Sequence, residues 1–174
     1  MEFLDQIKQL IPDYAKDIRL NVDGTIARSS LEPNDALCVA LAAAFAAKCT
    51  PIVNIIRQAG VLPETEINAT LTAAALMGMN TTWYPYVDMT GDADLKAQPA
   101  QLRMTAYATH GGVDKRKFEL YALAASIVGK CHFCVQSHYA LLKQEGMTTL
   151  QMRDAGRIAA TINAAAQVIT VEGK

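Results

Sequence analysis

The sequence predicts an all-α fold, and two observations lead to that prediction. The alternation of β-branched and polar residues that is typical of strands is scarce along the 174 residues. Alanine, leucine, methionine, glutamine and lysine, which favour helices, recur instead in windows of helical length. Glycine, proline and asparagine separate these windows. We therefore expect a chain of helices without a sheet.

The expected helices follow from amphipathic or alanine-rich windows and from their end signals. The N-terminal window is amphipathic, and Pro63 followed by Glu64 has the form of a first helical turn. Gly60 and Gly146 follow helical windows and act as C-terminal stops. The segment 80–99 has no clear periodicity, and we interpret it as a long surface connection. The predicted helices cover residues 2–19, 33–47, 51–59, 64–79, 99–107, 114–128, 131–145 and 148–170.

Length and charge restrict the classes of partner. A chain of 174 residues is long enough for one core, so a single domain over residues 1–174 is expected. The net charge is −1, and there is no block of lysine or arginine to bind nucleic acid. The longest apolar run, at 36–47, is too short to span a bilayer, which takes about 20 residues. The acidic N-terminus does not resemble a signal peptide, so we expect a cytoplasmic protein.

A weak internal repeat is predicted, with copies at roughly 33–79 and 114–170. The run at 36–49 aligns without gaps on 118–131 when Lys48-Cys49 is set on Lys130-Cys131. At three positions the first copy has an aliphatic residue where the second has an ionisable or reactive one. Leu37 aligns with Glu119, Ile52 with Cys134 and Ile56 with His138. Because the scaffold packs without those groups in one copy, their presence in the other calls for a chemical reason.

The stretch KCHFCVQSH at 130–138 holds the densest cluster of reactive side chains. On a helix, Cys131, Cys134 and His138 lie on one face, whereas His132 points about 100° away from Cys131. A break at Gly129 puts Cys131 near a helix N-terminus, where backbone amides favour a thiolate. If the chain turns back at this break, Glu119 comes beside the helix that carries His138, and the imidazole can then accept a proton from a thiol.

Several uses of the two cysteines are compatible with this pattern. Covalent haem attachment needs C-x-x-C-H, but Val135 follows Cys134. A zinc site needs a fourth ligand, for which Glu119 or His132 is the candidate, and a purely packing role also stays open. A redox dithiol accounts best for the accompanying Glu119 and His138.

The other cysteines, Cys38 and Cys49, lie on alanine-rich stretches and are expected to be buried and inert. The methionines of LMGM at 76–79, with Trp83, Tyr84 and Tyr86, are expected to fill a core or a subunit contact.

The spacing of Glu119, Cys131, Cys134 and His138 resembles the signature of the AhpD-like alkylhydroperoxidase family, related to the carboxymuconolactone decarboxylase-type fold. The stretch MGMNTTWYPY after an alanine-rich helix also resembles that family. The resemblance implies a helical fold with a two-copy architecture, an assembly into homotrimers, and an antioxidant peroxidase. It further implies that Cys131 and Cys134 form a redox-active disulfide.

The resemblance also implies roles for the site residues. Cys134 would attack the organic hydroperoxide, Cys131 would resolve the product as a disulfide, and Glu119 with His138 would relay protons. Some members of the family have a histidine immediately before the second cysteine, but this chain has Phe133 there and His132 one position earlier. His132 is therefore an auxiliary candidate for the relay.

The reductant and partners are likewise implied by the resemblance. No G-x-G-x-x-G fingerprint for a flavin or nicotinamide is present, so the electrons must come from outside the chain. The resemblance names dihydrolipoamide on a lipoylated acyltransferase as their source, with no tightly bound cofactor or metal, and an AhpC-type peroxiredoxin as a further electron acceptor. The alternative is a redox switch or zinc-binding protein that uses the same C-x-x-C. A decarboxylase on this fold is disfavoured because such members generally lack the dithiol.

Overall fold

The computed structural model describes residues 2–174, and this part of the chain contains ten α-helices and two 3-10 turns. No strand occurs in this range, so the all-helical prediction is confirmed. The helices are α1 Glu2–Gln9, α2 Lys16–Ile26, α3 Pro33–Ala46, α4 Thr50–Gln58, α5 Glu64–Thr90, α6 Ala93–Ala97, α7 Thr105–Ala108, α8 Lys115–Val128, α9 His132–Gln144 and α10 Thr149–Val171. The 3-10 turns are Asp13–Ala15 and His110–Gly112.

Helices α3 and α8 form the centre of the fold. Residues 35–44 of α3 and 118–126 of α8 are buried without interruption. A helix that is apolar on nearly every side is stable only when other elements surround it. Helices α5 and α10 pack against both of them, and the many alanines allow the backbones to approach closely. Helices α3 and α8 are therefore the most deeply buried helices among residues 2–174.

The two segments of the predicted repeat share local features. Both α3 and α8 have 14 residues. Each is followed by a lysine in the left-handed conformation, Lys48 with φ 60° and Lys130 with φ 55°. Each lysine precedes a cysteine, Cys49 or Cys131, that occupies the N-cap of the next helix. The duplication stays a prediction, and these features are what a duplication would produce.

Helix α5 is longer than the sequence predicts, and the interpretation of 80–99 as a surface connection is wrong for its first half. The helix continues to Thr90 through Pro85, and it ends where Gly91 adopts φ 65°. An internal proline costs a helix about 3 kcal/mol, so packing must offset it. The ring of Tyr84 contributes to this offset by stacking on Phe133 of α9 with centroids 4.5 Å apart.

Two other helix boundaries differ from the prediction. The helix expected over 2–19 is divided into α1 and α2, because Pro12 cannot donate a backbone hydrogen bond and a 3-10 turn follows it. The helix expected over 99–107 is reduced to the short α7, and the residues before it are mostly exposed and irregular. Local propensity is too weak to form a helix there without apolar burial.

No helix within residues 2–174 is both long enough and apolar enough to cross a bilayer.

Candidate redox site

The turn between α8 and α9 positions the two cysteines. After Val128 the chain closes with hydrogen bonds from the Lys130 amide to the Ile127 carbonyl (3.1 Å) and from the Cys131 amide to the Ser126 carbonyl (3.3 Å). Cys131 then adopts extended backbone angles as the N-cap of α9. The predicted break at Gly129 therefore exists, and it places Cys131 at a helix N-terminus.

Glycine at position 129 is required by the neighbouring helix. A Cβ atom built on Gly129 would lie 2.6 Å from Cγ2 of Thr81 on α5, far closer than carbon atoms approach without displacement. The missing side chain lets α5 press directly on the turn that carries Cys131. The end of α8, the start of α9 and the middle of α5 thus meet at one point.

Cys131 and Cys134 are joined by a disulfide, with Cα atoms 5.3 Å apart. Both are buried, with exposed fractions of 0% and 3%. The sulfur of Cys131 accepts a hydrogen bond from the backbone amide of Cys134 at 3.2 Å. When the disulfide is reduced, the same amide and the N-terminal end of the helix dipole favour a thiolate at this position.

Glu119 and His138 are brought together by the reversal of the chain at this turn. Nδ1 of His138 lies 2.6 Å from Oε2 of Glu119, and both side chains are buried, with exposed fractions of 5% and 1%. An ionised carboxylate accepts hydrogen bonds only, so Nδ1 of the imidazole carries the proton in this contact. His138 therefore keeps its other nitrogen, Nε2, for any proton exchange with a reacting group.

Tyr107 is a member of this cluster that the sequence did not reveal. Its hydroxyl donates a short hydrogen bond to Oε1 of Glu119, the oxygen that His138 leaves free. Burial and the hydrogen bond to the Glu119 carboxylate raise the pKa of Tyr107 far above its ordinary value, so the hydroxyl stays protonated. Tyr107 lies on the four-residue α7, in a region with no spacing or periodicity to connect it with Glu119.

The pKa of Glu119 reflects opposing influences. Burial raises it, whereas hydrogen bonds from His138 and Tyr107 and the more distant charge of Lys115 lower it. The lowering influences prevail, and the pKa of Glu119 lies below its ordinary value. The carboxylate is therefore held ionised although its side chain is almost completely removed from water.

Met77 of α5 contacts the free nitrogen of His138. Its Sδ atom lies 3.2 Å from Nε2, and the thioether is buried. Among residues 2–174, no hydrogen bond joins His138 to the sulfur of Cys131 or Cys134 in this disulfide form. A row of side-chain contacts thus extends from Tyr107 through Glu119 and His138 to Met77.

Two adjoining cavities give access to the cluster. A cavity of about 370 Å³ is lined by Cys134 and His138, together with Asn80, Tyr84, Met104, Tyr107, Ala108, Phe133 and Ser137. A larger one of about 790 Å³ lies beside it, and the stacked rings of Tyr84 and Phe133 belong to the walls of both. The smaller cavity reaches the reactive groups, and the larger one opens beside them.

The aromatic segment of α5 lines these cavities. Trp83 and Tyr84 belong to the wall of the larger cavity, and Tyr86 is 48% exposed. Of the methionines and aromatic residues expected to fill a core or a subunit contact, only Met77 lies in the core of this chain, and a subunit contact of the aromatic residues stays a prediction. Because α5 continues past residue 79, this segment is helical and lies beside the site.

His132 does not join Glu119 and His138. It is exposed and lines the larger cavity, away from the cavity that Cys134 and His138 share. On α9 it follows the N-cap directly, so its side chain leaves the helix on a different face from that of Cys134. The structure thus brings together four of the five sequence-predicted site residues.

The remaining cysteines are buried thiols, as the sequence predicts. Burial raises the pKa of Cys38 to about 11, and burial also raises that of Cys49. A thiol that stays protonated is a poor nucleophile.

Groups of three or more His, Cys, Asp or Glu side chains that could hold a metal ion are absent from the described part of the chain.

Comparisons with known proteins show what this chain is similar to. The model of the carboxymuconolactone decarboxylase family matches residues 93–171, which include the whole α8–α9 turn. Similar proteins include the alkyl hydroperoxide reductases AhpD of Rhodospirillum centenum and Maricaulis maris. The first is 40% identical over 97% of this chain and 91% of its own length, and the second is 36% identical over 97% and 98%. AhpD of Coxiella burnetii is 35% identical over 98% of this chain and 99% of its own length.

Proposed function

Because the chain belongs to the AhpD-like alkylhydroperoxidase family, we propose that it reduces organic hydroperoxides by cycling Cys131 and Cys134 between dithiol and disulfide. The observation that carries the proposal is the disulfide between these residues at a helix N-terminus, whose Cys134 lines a cavity together with His138. A buried imidazole that is hydrogen-bonded to a carboxylate beside a dithiol is suited to moving protons during sulfur chemistry.

The chemistry begins with the reduced pair. The thiolate of Cys134, the cysteine that shares a cavity with His138, attacks the distal oxygen of the hydroperoxide. The O–O bond breaks, and a proton from the relay converts the departing alkoxide to an alcohol. The sulfur of Cys134 is oxidised to a sulfenic acid. Cys131 then attacks that sulfur and water leaves, which yields the disulfide. His138 exchanges the protons, and Glu119 stabilises its charged form.

The disulfide must then be reduced by an external dithiol. We assign this step to dihydrolipoamide, which attacks one sulfur and is itself oxidised to the cyclic disulfide while the cysteines recover their protons. The larger cavity supports the assignment, since its walls are mostly apolar or aromatic and an elongated lipoyl arm could lie there. On this proposal a lipoylated acyltransferase delivers the arm, an AhpC-type peroxiredoxin can take the electrons, and the protein works as a homotrimer.

The test is oxidation of dihydrolipoamide by tert-butyl hydroperoxide in the presence of the purified protein, followed through lipoamide dehydrogenase and NADH. Wild type should consume NADH only when the hydroperoxide is added, and Cys134→Ser should have lost this activity. Cys38→Ser is the matched control because it removes a buried thiol outside the site, and it should retain activity.

Two outcomes would contradict the proposal. Full activity of Cys134→Ser would exclude the dithiol mechanism. No turnover by wild type, together with a disulfide that dihydrolipoamide does reduce, would instead favour the alternative in which the same pair is a redox switch without peroxidase activity.

A further inference from the structure

The carboxylate of Glu119 has one partner on each oxygen. His138 occupies Oε2 and the hydroxyl of Tyr107 occupies Oε1. The side chain is 1% exposed, so protein donors alone satisfy both of its oxygens. A carboxylate that loses one of two donors in such a place becomes protonated more readily, and it is also free to rotate.

Tyr107 is held in place by packing on both sides of its short helix. Its ring meets that of Phe118 edge to face, with centroids 5.4 Å apart. The following 3-10 turn is pinned to α5 at Gly111, where φ is 60° and a built Cβ would lie 2.8 Å from the Cα atom of Ala69. These contacts fix the hydroxyl relative to Glu119 although α7 itself has only four residues.

We propose that Tyr107 is a positioning residue for the proton relay: its hydroxyl keeps the Glu119 carboxylate ionised and turned so that the second oxygen stays on His138. This inference rests on the proposed peroxidase function, in which His138 exchanges protons with Cys134 and the substrate. Tyr107 acts through Glu119 in this scheme. It is a donor throughout the cycle and takes no proton itself.

The charged and titratable groups around Glu119 determine which measurement is informative. His138 approaches from α9, Tyr107 from α7 and Lys115 from one turn earlier on α8. Only Tyr107 is neutral at all working pH values, so replacing it removes a hydrogen bond without changing a charge. A shift in the titration of Glu119 in such a variant therefore reports the lost donor alone.

The experiment is a titration of Glu119 by 13C NMR with glutamate labelled at the carboxyl carbon, the signal being assigned by its loss in Glu119→Gln. We expect Tyr107→Phe to raise the pKa of Glu119 by about 1–2 units, the usual worth of a hydrogen bond to a charged group. Tyr121→Phe is the matched control, because that hydroxyl is also buried but lacks a hydrogen-bond partner within residues 2–174. It should leave the titration of Glu119 unchanged.

The same variants are then compared in the pH profile of hydroperoxide turnover. The acidic limb of the kcat/KM profile should move to higher pH in Tyr107→Phe, by the shift in the pKa of Glu119 that NMR measures. It should not move in Tyr121→Phe. A loss of packing alone would lower the rate without moving this limb. If Tyr107→Phe does not fold, 3-fluorotyrosine at position 107 tests the same contact, since its more acidic hydroxyl should lower the pKa of Glu119.

The two ideas fail in different ways. An unchanged pKa of Glu119 in Tyr107→Phe, or with 3-fluorotyrosine, overturns the role of Tyr107 and leaves the peroxidase proposal intact. A shift of equal size in the pKa of Glu119 in Tyr121→Phe would also overturn the role of Tyr107. Absence of turnover in wild type overturns the peroxidase proposal, and the NMR titration would still show whether Tyr107 holds the carboxylate.

Discussion

Substitution of Gly129 by alanine tests whether close packing on α5 sets the geometry of the redox turn. Its backbone angles, φ −71° and ψ −7°, are allowed for alanine, so any cost arises from the added methyl group. That methyl carbon would lie 2.6 Å from Cγ2, 2.7 Å from Cβ and 2.9 Å from Oγ1 of Thr81. Carbon atoms prefer a separation of about 3.5–4.0 Å, so the two helices must separate by about 1 Å.

Thr81 cannot easily turn aside. Its hydroxyl donates a hydrogen bond of 2.7 Å to the carbonyl of Met77, and a β-branched side chain has few rotamers on a helix. Overpacking of this kind destabilises a protein by about 1–3 kcal/mol. For a chain of this length we expect the melting temperature to fall by about 3–10 °C. Because Met77 contacts His138, the same displacement should lower hydroperoxide turnover.

The assay is thermal and guanidinium unfolding of the oxidised protein, with Gly78→Ala as the control. Gly78 lies on α5 near Thr81, and a methyl group there meets no atom within 4 Å. Alanine should stabilise that position by up to about 1 kcal/mol. In a Thr81→Gly background, which removes all three clashing atoms, most of the cost of Gly129→Ala should disappear. If Gly129→Ala is as stable as Gly78→Ala, the packing argument is wrong.

Two further predictions concern the same turn and the buried carboxylate. Lys130→Gly should stabilise the fold by about 1 kcal/mol, because a left-handed backbone such as that of Lys130 costs a non-glycine residue about 1 kcal/mol. A lower melting temperature of Lys130→Gly would contradict this prediction. Lys48→Gly should behave in the same way. Since the pKa of Glu119 is lower in the folded state than the ordinary 4.5, the unfolded state binds more protons, and stability should fall as the pH drops below about 4.5. In Glu119→Gln, guanidinium unfolding at a series of acidic pH values should show a shallower fall, and an equally steep one would refute the assignment.

The central helices could be predicted because their signals are local. The bounds of α3, α8, α9 and α10 lie within two residues of the prediction, since alanine-rich windows and glycine or proline at the ends act over a few residues. The break at Gly129 is of the same kind. The longer α5 could not be predicted, because a proline inside a weakly periodic segment indicates a break unless burial against another helix offsets it.

The composition of the site is divided in the same way. The two cysteines, Glu119 and His138 could be predicted as a cluster, because their spacing on two successive helices already limits how they can meet. The contact of Tyr107 with the second oxygen of Glu119, and that of Met77, 61 residues before His138, with the free imidazole nitrogen, could be seen only in the folded chain. Neither contact depends on local backbone preference. Each arises because burial brings distant segments together and a buried polar group must find a partner there.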